Sequence, residues 1–283
     1  MNEAIDQLIQ QALREDMPDG DATSSALFNN EISHAKAIAK DDGIISGLDV
    51  FKRVFELVDP TVNVTIHASD GDKVNKKTIL ATLEGKTQSL LKAERTALNF
   101  LQRMSGISTE TRRYVDALSG TRCKILDTRK TVPTLRLLDK LAVKHGGGVN
   151  HRFSLSDMAM LKDNHIHAAG SITEAVKRVR NHVGDTLKIE VEVESIEAFN
   201  EALKTSVDWI MLDNMDNEMM RECVRLNQNQ KILEASGNMI LDRVKSVAQT
   251  GVDYISVGAL THSVKAFDIS LRFSIGGEPH DTK

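Results

Sequence analysis

Residues 188–194 read KIEVEVE. A strand has a side-chain period of two, so Glu190, Glu192 and Glu194 fall on one face and Val191 and Val193 on the other. In an open sheet covered by helices on both sides, three carboxylates on one strand face would be buried without relief. In a barrel that face points inward and its upper end opens onto a site, so this stretch favours a barrel. Short apolar segments recur on either side of it: 124–129 (KILDTR), 158–163 (MAMLKD), 208–213 (DWIMLD), 231–235 (KILEA) and 254–258 (YISVG). Including 188–193, successive starts lie 34, 30, 20, 23 and 23 residues apart, the rhythm of βα units that require a parallel sheet. Ser171-x-x-Glu174 and Asn238 supply helix-start signals between them. The fold class is therefore α/β, a barrel of fewer than eight strands.

Ahead of this region the pattern is mixed. Ile5, Leu8, Ile9, Ala12 and Leu13 predict an amphipathic helix over 2–15, and DMPDGDATS reads as a turn. A strand at 34–40, a helix near Leu48–Val58, alternation at Val62, Val64 and Ile66, and a returning strand at 78–83 predict an α+β layer over about the first 110 residues. A helix over Gln88–Met104 closes it, with Arg95 among apolar neighbours.

The chain has 283 residues with only 4% aromatics and four prolines, enough for one large core or two smaller ones and without the bias of a disordered chain. No apolar run reaches membrane-spanning length, and acids occupy the N-terminus where a signal peptide needs a basic head, so a cytoplasmic protein is expected. Cys123 and Cys223 fit no metal or redox spacing and read as buried free thiols.

Residues 127–166, DTRKTVPTLRLLDKLAVKHGGGVNHRFSLSDMAMLKDNHI, hold seven Lys or Arg against four Asp, so the segment is +3 in a chain of net charge −4. A basic island in an acidic chain points to a local anion site, where a nucleic-acid binder would more often be basic throughout. Gly146, Gly147 and Gly148 would let backbone N–H groups approach a ligand. Collecting the polar strand ends puts Lys130, Arg152 and Lys162 in one mouth with Glu192 and Asp213. The cations suit carboxylates and phosphates, and the carboxylates suit Mg²⁺ beside phosphate oxygens. His165-x-His167 raises the alternative of a metal-dependent hydrolase, and GGGVNHR lacks the Gly-Lys-Ser/Thr of a P-loop.

The chain resembles the quinolinate phosphoribosyltransferases, the decarboxylating enzymes of NAD biosynthesis. The resemblance rests on AERTALNFLQRMSGIST (93–109), DTRKTVP (127–133), KHGGGVNHR (144–152), LKDNHI (161–166), IEVEVE (189–194), MLDN (211–214), EASG (234–237) and SVGALTHS (256–263). One departure is EASGN (234–238), where Ala235 and Asn238 differ from the family's pattern. The resemblance implies an open β/α barrel of six to seven strands over 111–267. It also implies an N-terminal α/β sandwich domain over 1–110, completed by 268–283, and a homodimer. Arg129, His151, Arg152 and Lys162 would surround the carboxylates of quinolinate, with Arg95 contributed in trans by the partner. Lys130 and Lys162 would touch phosphoribosyl pyrophosphate, Glu192 and Asp213 its Mg²⁺ and ribose, and Ser236, Gly237, Gly258 and His262 its 5′-phosphate. Lys130, Lys162, Glu192 and Asp213 would be the catalytic set. Two rival readings stand beside this one: a phosphoribosyltransferase for nicotinate or a related acid, and a non-catalytic sensor of an anionic metabolite.

Overall fold

The computed structural model describes residues 3–275, and the chain divides into two compact units. The second unit comprises Thr111–Thr131 and Gly148–Ser263. Its six strands run in the order Lys124–Leu126, Tyr254–Ser256, Ile232–Ser236, Trp209–Asp213, Lys188–Val193 and Met158–Leu161. Every neighbouring pair is parallel. All six expected strands are present, and an isolated parallel bridge between Leu126 and Val149 marks where a seventh would lie.

The alternation read from KIEVEVE sorts the two faces. Ile189, Val191, Val193, Ile210, Leu212, Leu233, Ala235 and Ile255 are buried, and helices with apolar stripes follow the strands. Ile172–Val183, Ile196–Leu203 and Asn217–Asn227 each start at a side-chain cap, from Ser171, Ser195 and Asp216. On the other face Glu190 pairs in register with Met160 and Trp209, and Glu234 with Met211 and Tyr254. Trp209 stacks on Tyr254 with ring centroids 4.9 Å apart. Glu190 and Glu234 have no exposed surface, whereas Glu194, one residue past its strand, is exposed.

Among the described residues the first unit contains 3–110, Val132–Gly147 and 264–275. Its antiparallel sheet has the order Ile269–Ile275, Ile32–Ala39, Ile79–Lys86, Asn63–Ile66. Thus the C-terminal strand pairs with the first strand of the chain. Of the segment 268–283 expected to complete this domain, residues 276–283 lie outside the described residues. Helix Glu3–Asp16 buries Ile5, Ile9 and Leu13, and helix Leu48–Val58 packs Phe51 edge-on to Phe55.

Four local expectations need correction, the first being Asn238, which caps nothing: helix Leu241–Ala248 starts from Ile240 without a side-chain cap. DMPDGDATS ends in the first turn of a short helix, Ala22–Leu27, because the Asp21 carboxylate accepts the N–H groups of Thr23 and Ser24. The helix expected over Gln88–Met104 runs over Thr87–Ala117. It passes through Gly106, where a side chain would meet the backbone of Lys265, so the helical glycine serves close packing. The glycine run does not cradle a ligand with its first two amides: the N–H groups of Gly146 and Gly147 donate to Ala142 and Lys144 carbonyls and end helix Arg136–His145.

Gly106→Ala should therefore destabilise the protein by about 1–3 kcal/mol, because the added methyl would press on the carbonyl of Lys265, whose carbon lies 3.1 Å from the Cβ position. An unchanged urea midpoint would show that this contact relaxes freely.

Candidate active site

The second unit holds a cavity of about 320 Å³ at the C-terminal ends of its strands. Arg129, Lys130, His151, Arg152 and Lys162 line it, together with the carboxylates of Asp127, Glu192 and Glu234. Thr128, Ser236 and Ser256 add hydroxyls, and Met160 and Met211 an apolar surface.

Local chemistry explains how each cation arrives there. Asp127, the residue after strand Lys124–Leu126, is fully buried. Its carboxylate accepts the His151 backbone N–H at 2.9 Å and an N–H of the Asn150 side chain, which fixes the NHR segment against the strand end. Lys130 follows in a turn where its N–H donates to Thr128 Oγ1 at 3.0 Å, and its carbonyl accepts from Thr261 Oγ1 at 2.9 Å. Arg152 donates to the Met158 carbonyl at 3.0 Å. Burial and then the nearby Arg129 hold the Arg152 guanidinium below its usual range, so an anion between the two would relieve both. Lys162 Nζ lies 2.6 Å from Glu192 Oε1 at the mouth.

The remaining expected residues stand at neighbouring strand ends. Asp213 closes strand Trp209–Asp213, is in register with Ser236 and accepts from Asn214 Nδ2 at 3.0 Å. Gly237 has φ +92°, and a side chain there would lie 2.8 Å from the Asn214 backbone nitrogen, so only glycine fits. A Cβ on Gly258 would lie 3.1 Å from His262 Cδ2 and 3.2 Å from Lys130 Cδ, which places Gly258, His262 and Lys130 in one corner. Arg95 is exposed on the part of helix Thr87–Ala117 that lies in the first unit, and it does not line the cavity.

The basic island divides. Arg136, Lys140 and Lys144 lie on helix Arg136–His145 of the first unit, where Asp139 is buried and paired with Arg103 at 2.8 Å. His165 and His167 lie on helix Asp163–Ala169, not on a strand end, and His165 Nδ1 accepts the Lys162 N–H at 3.0 Å as a cap. They are therefore not a metal pair. Ser46, His145 and Asp70 also meet in the first unit. Both Ser46 Oγ, at 2.8 Å, and Asp70 Oδ2, at 3.7 Å, address His145 Nδ1, so no relay runs through the ring. Asp70 accepts the N–H groups of Gly47 and Leu48, which makes the group an anchor for helix Leu48–Val58.

Sequence reasoning did not single out Glu190 and Glu234 as a pair. His151 Nε2 lies 3.0 Å from Glu190 Oε2 and 3.2 Å from Glu234 Oε2. Burial opposes charge on this imidazole, but the two carboxylates outweigh it and raise His151 to about 10. Burial, and then Glu234, push Glu190 above the usual carboxylate range. The available signal was the alternation itself: Glu234 precedes Ser236 by two and shares its inward face.

A barrel whose strand ends gather five cationic groups, hydroxyls and carboxylates is an enzyme-type site for small polyanions. Residues 21–105 match the N-terminal domain of quinolinate phosphoribosyl transferase and residues 107–272 its C-terminal domain. The chain is 43% identical to a probable nicotinate-nucleotide pyrophosphorylase [carboxylating] of Bacillus subtilis, over 97% of this chain and 95% of that one. It is 44% identical to the mitochondrial quinolinate phosphoribosyltransferase [decarboxylating] 2 of Nicotiana glauca, over 95% and 82%. The crystal structure of NadC from Streptococcus pyogenes superposes with a TM-score of 0.93 at 42% identity, covering 96% of each chain. The chain belongs to the quinolinate phosphoribosyltransferase family.

Proposed function

We propose that the cavity joins quinolinate to phosphoribosyl pyrophosphate, releasing pyrophosphate, CO₂ and nicotinate mononucleotide for NAD biosynthesis. The observation that carries this reading is the convergence of Arg129, Lys130, His151, Arg152 and Lys162 on one cavity. Two ring carboxylates and a pyrophosphate need that much positive charge, with Arg able to clamp two oxygens at once.

Arg129, His151, Arg152 and Lys162 hold the carboxylates of quinolinate. Ser236, Gly237, Gly258 and His262 receive the 5′-phosphate, and the absence of side chains at the two glycines lets backbone N–H groups approach it. Glu192 and Asp213 are oxygen donors on one face of adjacent strands, since Glu192 is in register with Met211 and Asp213 follows two residues on. That donor chemistry fits a hard cation, and the two would hold Mg²⁺ with substrate oxygens, where it would supply positive charge beside the phosphates. Lys130 and Lys162 neutralise the departing pyrophosphate, while the carboxylates tolerate positive charge developing at C1 of the ribose. The pyridine nitrogen forms its bond to C1 as the bond to pyrophosphate breaks. The resulting cationic nitrogen stabilises the electron pair left when the adjacent carboxylate departs as CO₂, and that carbon then takes up a proton.

We place the enzyme in the cytoplasm, in keeping with the free thiols of Cys123 and Cys223. We further infer a homodimer in which Arg95 of one subunit serves the other's cavity. The exposed Arg95, flanked by the buried Ala93, Thr96 and Ala97, supports this reading.

Pyrophosphate release measured with quinolinate and with nicotinate tests the assignment. Quinolinate should be preferred by about 10²-fold or more, because a monocarboxylate leaves part of the cationic set unpaired in a half-buried site. Equal or faster turnover of nicotinate would assign the cavity to a monocarboxylate. Binding without pyrophosphate release would point to a sensor.

A further inference from the structure

We propose that Glu190 and Glu234 are positioning residues that grip the Nε2 edge of His151 and hold this ring as a fixed cation in the substrate cavity. The proposal rests on the assignment of His151 to the quinolinate carboxylates. Both carboxylates are fully buried, the His151 side chain is 5% exposed, and the Nε2 contacts are 3.0 and 3.2 Å. Neither carboxylate accepts a hydrogen bond from a backbone amide or hydroxyl among the described residues. Two buried carboxylates with no other such donor have one evident purpose, the imidazole between them.

The ring is held on its other sides as well. Trp209 meets it edge-on with centroids 6.0 Å apart and is itself stacked on Tyr254. The His151 backbone N–H is tied to Asp127. Glu190 and Glu234 reach the ring from their strands and Asp127 holds its backbone from the strand end, while the cavity it lines also holds Arg129, Lys130, Arg152, Lys162 and Glu192. A histidine buried this deeply would by itself lose its proton, and the paired carboxylates reverse that balance. The cavity thereby keeps a cation that neither rotates nor titrates near neutrality, and quinolinate meets a site already ordered.

The test uses the full-length enzyme, with Glu234→Gln as the main variant because glutamine keeps the shape and removes the charge. The KM for quinolinate should rise about tenfold, the change expected on losing one charge of a buried ion pair, with the KM for phosphoribosyl pyrophosphate and kcat changed less than twofold. Nitrogen NMR of histidine-labelled protein should show His151 doubly protonated at pH 8 in the parent and titrating near neutrality in Glu234→Gln. Glu234→Asp, which retains the charge, should recover most of the affinity. If Glu234→Gln does not fold, the parent spectrum still decides, since a neutral His151 at pH 8 overturns the proposal. So does an unchanged quinolinate KM, or stoichiometric metal in the purified protein, because His151, Glu190 and Glu234 place ligand atoms within 4.8 Å of one another and would then be a metal site. Failure of the parent to turn over quinolinate would instead reject the substrate assignment, and the spectrum would still report on the ring.

Discussion

Lys162→Ala should lower kcat/KM by about 10²- to 10³-fold, the range seen when a group that stabilises transition-state charge is removed. The same change should barely move the melting temperature. Lys162 and Glu192 form an ion pair whose side chains are 47% and 17% exposed, and a pair in that setting contributes at most about 1 kcal/mol to folding. Catalysis asks more of it. Without Lys162 the Glu192 carboxylate would face an incoming polyanion with its 2.6 Å partner gone, so repulsion adds to the lost attraction. Glu192→Ala should also be strongly impaired, and the double variant should be less impaired than the product of the two single losses, because the residues act as one unit. Steady-state kinetics with a thermal melt of each variant separates the effects. Full activity in Lys162→Ala, or a loss matched by unfolding, would remove Lys162 from the catalytic set.

Mixing Arg95→Ala with Lys130→Ala protein should restore up to about a quarter of the parent activity, although each variant alone should be nearly inactive. Lys130 lines the cavity of the second unit, whereas Arg95 is exposed on the first. In a two-fold dimer that exchanges subunits freely, about half the molecules are mixed and one of their two cavities has both groups intact. Recovery requires that Arg95 serve the other subunit. Subunit exchange confirmed by mass spectrometry, with no gain in pyrophosphate release, would show that Arg95 belongs to its own chain's cavity or to none.

The barrel strands were legible because their signal is local. An apolar run of five or six residues ending in polar side chains needs no distant information, and the alternation in KIEVEVE already implies one face against helices and one turned inward. The long helix was less legible. The expected helix ends at Met104, ahead of a glycine, and an interior glycine costs about 1 kcal/mol relative to alanine. Helix Thr87–Ala117 nonetheless continues, because Gly106 admits the Lys265 backbone and Ser105 Oγ donates to the Ser46 carbonyl at 3.1 Å. The glycine run misled in the opposite direction. A glycine is permissive in a phosphate cradle and at a helix end alike, and the choice fell to the Ala142 and Lys144 carbonyls, which needed donors.

The sequence by itself determined the parallel sheet, its inward carboxylate face and, through its blocks of motif, the family and most of the cationic set. Only the tertiary structure divided the basic island: Arg129, Lys130, Arg152 and Lys162 line the cavity, while Arg136, Lys140 and Lys144 belong to a helix of the other unit. It also decided that Glu190 and Glu234, on strands separated by a third, close on His151. The reason is one of range. Periodicity is carried by the backbone within a few residues, whereas Coulomb attraction and desolvation depend on separations of a few ångströms, and those are set by strand register across the barrel.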